Sequence, residues 1–127
     1  MEYLLDTCVL TWSLFEPHRL SKTAREILLN KSCRKSVSLS SIWELSIKNR
    51  INKIELPYGV RGIFEAVESS GYGYIPIVQE HIETYNTLPK IHTDPFDGII
   101  IATAVVEQMT IITSDREIQK YDVKWTW

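Results

Sequence analysis

The chain has 127 residues, 44% of them hydrophobic and 24% charged, with a net charge of −2. That is the make-up of one ordinary globular domain spanning residues 1–127, long enough to bury a sizeable core. No apolar run approaches the ~20 residues of a membrane span and the N-terminus lacks a signal-peptide pattern, so a cytoplasmic protein with Cys8 and Cys33 as reduced thiols is expected. The modest net charge hides an asymmetry. Residues 1–64 carry ten Lys/Arg against six Asp/Glu, and residues 65–127 carry four against ten. A basic half beside an acidic half leaves room for an anionic partner such as RNA, although the overall pI does not argue for tight, non-specific nucleic-acid binding.

Taken in chain order, Tyr3-Leu4-Leu5, stopped by Asp6-Thr7, reads as a buried strand. Val9, Leu10, Trp12, Leu14 and Phe15 predict a helix ending before Pro17. A second helix starts at Ser21 as cap, with Ala24, Ile27 and Leu28 as its apolar stripe. Asn30 to Lys35 is a polar, basic turn. Val37 and Leu39 alternate with serines as a second strand, and Ser41-Ile42-Trp43-Glu44 matches a capping box, which starts a helix at that point running to about Arg50. Ile54 to Pro57 is a connector. Val60, Ile63, Phe64 and Val67 follow helical spacing, closed by Gly71. Tyr74 to Ile77 reads as a short strand that Pro76 places at an edge or at its end. Val78, Ile82, Tyr85 and Leu88 mark a helix before Pro89.

The segment His92 to Ala104 is the most informative. Asp94-Pro95 is a helix start, an Asp cap followed by Pro at the first helical position, and Asp97 falls at the third, where free N–H groups favour a negative charge. The apolar residues that follow, Ile99 to Val106, surround the helix and predict that it runs through the core. Thr110 to Thr113 is then a strand, Ile118 and Tyr121 suggest one or two helical turns, and Val123, Trp125 and Trp127 alternate as a closing strand. Strands separated by helices imply an α/β fold: an open, mostly parallel sheet with helices on both faces.

In such a sheet ligands bind at the carboxyl ends of the strands and the adjoining helix starts. Four acids occupy such places. Asp6 follows the first strand, Asp115 follows the strand after the central helix, and Glu44 and Asp97 lie in first turns. Each also has a structural reading: Asp6 and Asp115 as turn or cap residues, Glu44 as half of its capping box, Asp94 and Asp97 as helix-start charges. Together they strain that reading, because clustered carboxylates repel by several kcal/mol per pair at an effective dielectric of about 20. Such a cluster persists if some acids stay protonated or a cation sits among them. Oxygen-only ligands point to Mg²⁺ or Mn²⁺, which suits phosphate-ester hydrolysis. Thr7 is placed to hydrogen-bond an acid or a metal-bound water, or simply to start its helix.

Leu5-Asp6-Thr7, Ser41-Ile42-Trp43-Glu44-Leu45, His92-x-Asp94-Pro95-Phe96-Asp97, and Thr113-Ser114-Asp115 with the closing Val123 to Trp127 resemble a PIN-domain protein, and more narrowly the VapC-type toxins of bacterial toxin–antitoxin pairs. The resemblance spans the whole chain, with Asp-Pro-Phe-Asp its most specific piece. It implies a PIN-like fold and a Mg²⁺- or Mn²⁺-dependent endoribonuclease acting on RNA, held by a VapB-like antitoxin and usually a homodimer. By position, Asp6, Glu44, Asp97 and Asp115 match the family's catalytic and metal-binding acids, while Asp94 stays at the cap. One departure is Gly98, where the family usually has Arg; it removes a cation beside the acids and costs roughly 0.5–1 kcal/mol relative to Ala within a helix. A catalytically silent PIN-like module that only binds protein or RNA is the alternative, which the presence of all four acids argues against. A DNA-directed nuclease would share the metal chemistry. A phosphohydrolase using Asp6 as nucleophile fits less well, since Asp6-Thr7-Cys8 lacks a second acid two residues on.

Overall fold

A computed structural model of the protein describes residues 1–127. Five strands, β1 (Glu2–Leu5), β2 (Arg34–Ser38), β3 (Gly73–Ile75), β4 (Thr110–Ile112) and β5 (Trp125–Thr126), form one sheet in the order β3-β2-β1-β4-β5. Every neighbouring pair is parallel. Strands β2 and β3 step away from β1 on one side, and β4 and β5 continue on the other. The order therefore reverses between β1 and β4, which opens a crevice beyond their carboxyl ends. Leu5 pairs with Val37 on one side and Ile112 on the other, so Asp6 and Thr113 emerge side by side.

Side-chain alternation divides the core into two layers. Tyr3, Leu5, Val37 and Ile112 face α1 (Thr7–Phe15), α2 (Lys22–Leu29), α3 (Leu39–Arg50) and α4 (Gly59–Ser69) through Val9, Leu10, Ala24, Ile42, Leu45, Ile63 and Val67. Leu4 and Ile111 face the opposite way, onto α6 (Pro95–Glu107) and α7 (Arg116–Gln119) through Ile100, Ile101, Ala104 and Ile118. The last helix, α5 (Gln79–Thr87), packs outside α6. No helix is long and apolar enough to cross a membrane, and both cysteines are free.

Three sequence expectations change. Helix α3 begins at Leu39, with Ser38 as its cap accepting from the Ser40 N–H at 3.1 Å. Leu39 is thus helical, Ser41 lies inside the first turn, and Glu44 moves to the second turn with no capping-box role. Helix α6 is not buried all round, since Val105 is 42% exposed. The largest change is in α5. Val78 and Ile82 of its apolar set are exposed, Tyr85 lays its ring against α6, and fully buried His81, one turn before it, takes the inner face. There the His81 Nδ1 accepts from the Val78 N–H at 3.2 Å and Nε2 lies 2.8 Å from Glu107 Oε2 at the end of α6. A hydrogen-bonded histidine is buried at little cost, and this one joins α5 to α6 at that end.

Near the other end of α5 the two helices meet at Gly98. A Cβ at position 98 would stand 2.3 Å from Cε1 of Tyr85, so the absent side chain makes room for that ring. Gly98→Ala sets gained helix propensity of about 0.5–1 kcal/mol against overpacking of about 1–3 kcal/mol. We expect the single variant to lose roughly 1 kcal/mol in urea denaturation, and the same change to stabilise a Tyr85→Ala background. Equal effects in both backgrounds would show that the ring does not confine position 98.

Candidate active site

Asp6 leaves β1 already committed to two hydrogen bonds. As the cap of α1 its Oδ1 accepts from the Val9 N–H at 2.7 Å, and its Oδ2 accepts from the Thr113 hydroxyl at the end of β4. Thr113 is fully buried, and its Oγ1 also accepts from the Asp115 N–H at 3.0 Å. Asp115 in turn caps α7, accepting from the Glu117 N–H at 2.8 Å. Asp6 is only 3% exposed. Burial pushes its carboxyl up to about 6 against the two hydrogen bonds that lower it, with the charges of Asp115 and Glu44 raising it further.

Asp94 caps α6, accepting from the Phe96 N–H at 2.9 Å and the Asp97 N–H at 3.3 Å. That places Asp97 at the third helical position, turned into the crevice rather than to solvent. Burial pushes its carboxyl up to about 7; Asp94, Asp115 and Asp6 raise it further, and a hydrogen bond from His92 opposes them. Four segments of the chain thus bring Asp6, Glu44, Asp97 and Asp115 within electrostatic reach of a common crevice. Cys8, beside Asp6, senses Asp6, Asp97 and Glu44 as well, and its thiol is pushed up to about 11, chiefly by burial.

Glu44 differs from the other three. Its Oε2 is held by Lys48 Nζ at 2.8 Å one turn along α3, and its Oε1 is buried without any hydrogen-bond partner. The bond to Glu44 raises the Lys48 ammonium pKa despite partial desolvation. A buried carboxylate oxygen left without a protein partner is costly, and a water or a cation would relieve that cost. No three His, Cys, Asp or Glu side chains form a ready-made metal-binding group. The donor set is nevertheless the right chemistry for a hard divalent ion, all oxygen, with Asp6 and Asp97 raised chiefly by burial and further by neighbouring acids. Asp6, Glu44, Asp97 and Asp115 are the residues that would hold it.

Other side chains here were not singled out from the sequence. Thr113 fixes Asp6, and its signal was a hydroxyl at a strand end two residues before an Asp. Lys48 was visible as the i+4 partner of Glu44. His92 and Tyr121 form a chain to Asp97. Thr7 does not touch an acid; its hydroxyl donates to Ser41 Oγ at 2.9 Å, tying α1 to α3. The largest cleft, about 900 Å³, lies at the opposite end of the sheet among Glu2, Arg34, Lys35, His81 and Glu107. Its charged groups already have partners: Arg34 with Glu2, Lys35 with the Asn30 carbonyl, His81 with Glu107. The polar crevice is the better chemical candidate.

Raised carboxyl pKa values carry a stability signature. Asp6 and Asp97 hold a proton more tightly in the fold than at their ordinary 3.8, so their contribution is fully present below about pH 4 and is lost as pH rises through about 6 and 7. In excess EDTA at pH 8, Asp97→Asn should melt several degrees above the parent protein, and the difference should shrink as pH falls and vanish only below about pH 4. If Asp97 serves only the helix dipole, the variant should instead lose up to about 1 kcal/mol at pH 8.

The sequence profile of the PIN domain matches residues 3–124. No curated protein matches the sequence significantly. Among solved structures, VapBC2 from Rickettsia felis, bound to a DNA fragment from its promoter, superposes with a TM-score of 0.76 at 18% identity, over 100% of this chain and 99% of that one. VapBC-1 from nontypeable Haemophilus influenzae gives 0.69 at 21% identity, over 99% and 97%. FitAcB from Neisseria gonorrhoeae gives 0.63 at 21% identity, over 98% and 96%. With a matching profile over nearly its whole length and a parallel sheet that gathers acids at its switch point, the chain belongs to the PIN domain family.

Proposed function

We propose that the protein is a Mg²⁺- or Mn²⁺-dependent endoribonuclease, the toxin of a type II toxin–antitoxin pair, with Asp6, Glu44, Asp97 and Asp115 as its catalytic and metal-holding residues. The observation that carries this reading is a crevice where burial, reinforced by neighbouring carboxylates, raises the proton affinity of Asp6 and Asp97, beside a buried Glu44 oxygen lacking any protein partner. When bound there, a divalent ion would lower the pKa of a water, place it in line with the phosphorus and neutralise charge on the leaving oxygen.

The chain's own residues prepare that chemistry. Thr113 and the Val9 N–H each use one lone pair of an Asp6 oxygen and leave another on each atom. Lys48 fixes the Glu44 carboxylate through Oε2, so Oε1 stays directed inward. Asp115 spends one oxygen on its helix cap and keeps the other. Without a cation the negative crevice repels a phosphodiester, so substrate and metal enter as linked events.

Partners follow by analogy with the structural neighbours, which include VapBC pairs and a toxin–antitoxin complex from Klebsiella pneumoniae. We propose a VapB-like antitoxin, and a homodimer in which a second copy covers the exposed Val78 and Ile82 of α5. The cytoplasm is the proposed compartment, consistent with two free thiols.

The test is purified, antitoxin-free protein with structured and single-stranded RNAs. Cleavage is expected with Mn²⁺ or Mg²⁺ and none in excess EDTA, and Asp97→Asn should lower the rate by roughly 100-fold or more at ordinary metal concentrations. Equal cleavage in EDTA would remove the metal mechanism. A folded protein that cuts no RNA under any condition would instead support the silent binding module.

A further inference from the structure

Tyr121 and His92 lie behind Asp97 in an unbroken chain of hydrogen bonds. The Tyr121 hydroxyl sits 3.3 Å from the His92 backbone N–H and 2.8 Å from its ring Nδ1, and His92 Nε2 sits 3.2 Å from Asp97 Oδ2. All three side chains are largely shielded: Tyr121 is 7% exposed, and the His92 and Asp97 side chains 15% and 14%. The two rings meet edge to face, with centroids 5.5 Å apart, which fixes the orientation of the imidazole.

Proton counting assigns roles along this chain. The backbone N–H of His92 can only donate, so the tyrosine oxygen must accept from it. Its second lone pair could take an Nδ1–H, but the hydroxyl proton would then have no acceptor in this shielded chain, so we assign that proton to the Nδ1 lone pair at 2.8 Å. An imidazole that accepts at Nδ1 carries its ring proton on Nε2, where it donates to Asp97 Oδ2. The carboxylate is then held by one oxygen, and Oδ1 is left for the crevice.

We infer that Tyr121 and His92 are positioning residues that set the rotation of Asp97 and so the affinity of the crevice for its divalent ion. The inference rests on the reading of Asp97 as a metal ligand. It also supplies a donor to Asp97 that the helix itself withholds, since Gly98 brings no side chain next to the acid. Neither residue is placed to touch the phosphodiester.

The experiment pairs two measurements on the full chain. In metal-free, ¹⁵N-labelled protein, two-bond ¹H–¹⁵N correlations should show His92 protonated at Nε2 and bare at Nδ1, and Tyr121→Phe should release it into a mixture of tautomers. By calorimetry, Mn²⁺ should bind His92→Ala about 10–100-fold more weakly than the parent chain, the range usual for losing a partner of a metal ligand. Tyr121→Phe should weaken binding less, and His92→Gln, whose amide N–H can still reach Asp97, should recover much of the loss. Melting in EDTA should show all three variants folded. A His92 ring protonated at Nδ1 in the parent protein, or Mn²⁺ affinity within about two-fold for His92→Ala, would overturn the relay while leaving the metal site standing. A parent chain that binds no Mn²⁺, or an Asp97→Asn variant that binds it equally well, would overturn the underlying metal reading and the inference with it.

Discussion

Everything around the crevice depends on one buried carboxylate. Asp6 ends the central strand, starts the first helix and accepts a hydroxyl from the neighbouring strand, so its two oxygens join β1, α1 and β4 at the point where the strand order reverses. Burying an anion there is costly, and its proton affinity rises accordingly. The two bonds lower that cost without removing it. What remains is a fold that holds a carboxylate of raised proton affinity at the place where a doubly wound sheet can present it to a ligand.

The structural and chemical readings of the acids turn out to be compatible. Asp6, Asp94 and Asp115 all cap helices, and each accepts backbone N–H groups through its Oδ1. Capping uses the unsatisfied donors of a helix start, whose positive end also eases a negative charge. A capping Asp therefore costs less in a cluster than a free one would. Because a cap engages one oxygen, the other stays available. Asp94 is the instructive exception: its Oδ1 takes two N–H groups, and it lies exposed outside the crevice, raising the pKa of Asp97 rather than sharing its place.

The architecture was legible because it follows from periodicity and punctuation. Tyr3-Leu4-Leu5 could only be a buried strand, and Asp94-Pro95 could only start a helix. The errors have two causes: a neighbouring residue that fits a local pattern better, and partners remote in sequence. Ser41 and Glu44 satisfy the capping-box pattern, yet Ser38 takes the cap, and the pattern residues turn to Thr7 and Lys48. In α5 the apolar spacing marked a helix, yet Ile82 is exposed and His81 is buried, where Glu107, 26 residues on, meets it. Periodicity weighs hydrophobicity along one segment and cannot see an acid on another helix. The same limit hid the relay from Tyr121 to Asp97, which begins 24 residues downstream of the acid it ends on.

Gly98 shows how such a limit resolves into physics. From the sequence, the missing Arg leaves the acid crevice short of a cation. In the fold, the ring of Tyr85 lies against the helix where a side chain at position 98 would begin, and a Cβ there would stand 2.3 Å from it. An Arg at 98 and this placement of Tyr85 cannot coexist. The positive charge comes instead from Lys48 on α3, 2.8 Å from Glu44, and the hydrogen bond to Asp97 comes from His92. Both replacements act through the outer oxygen of their carboxylate, Oε2 of Glu44 and Oδ2 of Asp97. In this fold two oriented donors on separate segments, Lys48 and His92, therefore steady the acids where α6 itself offers no cation at position 98.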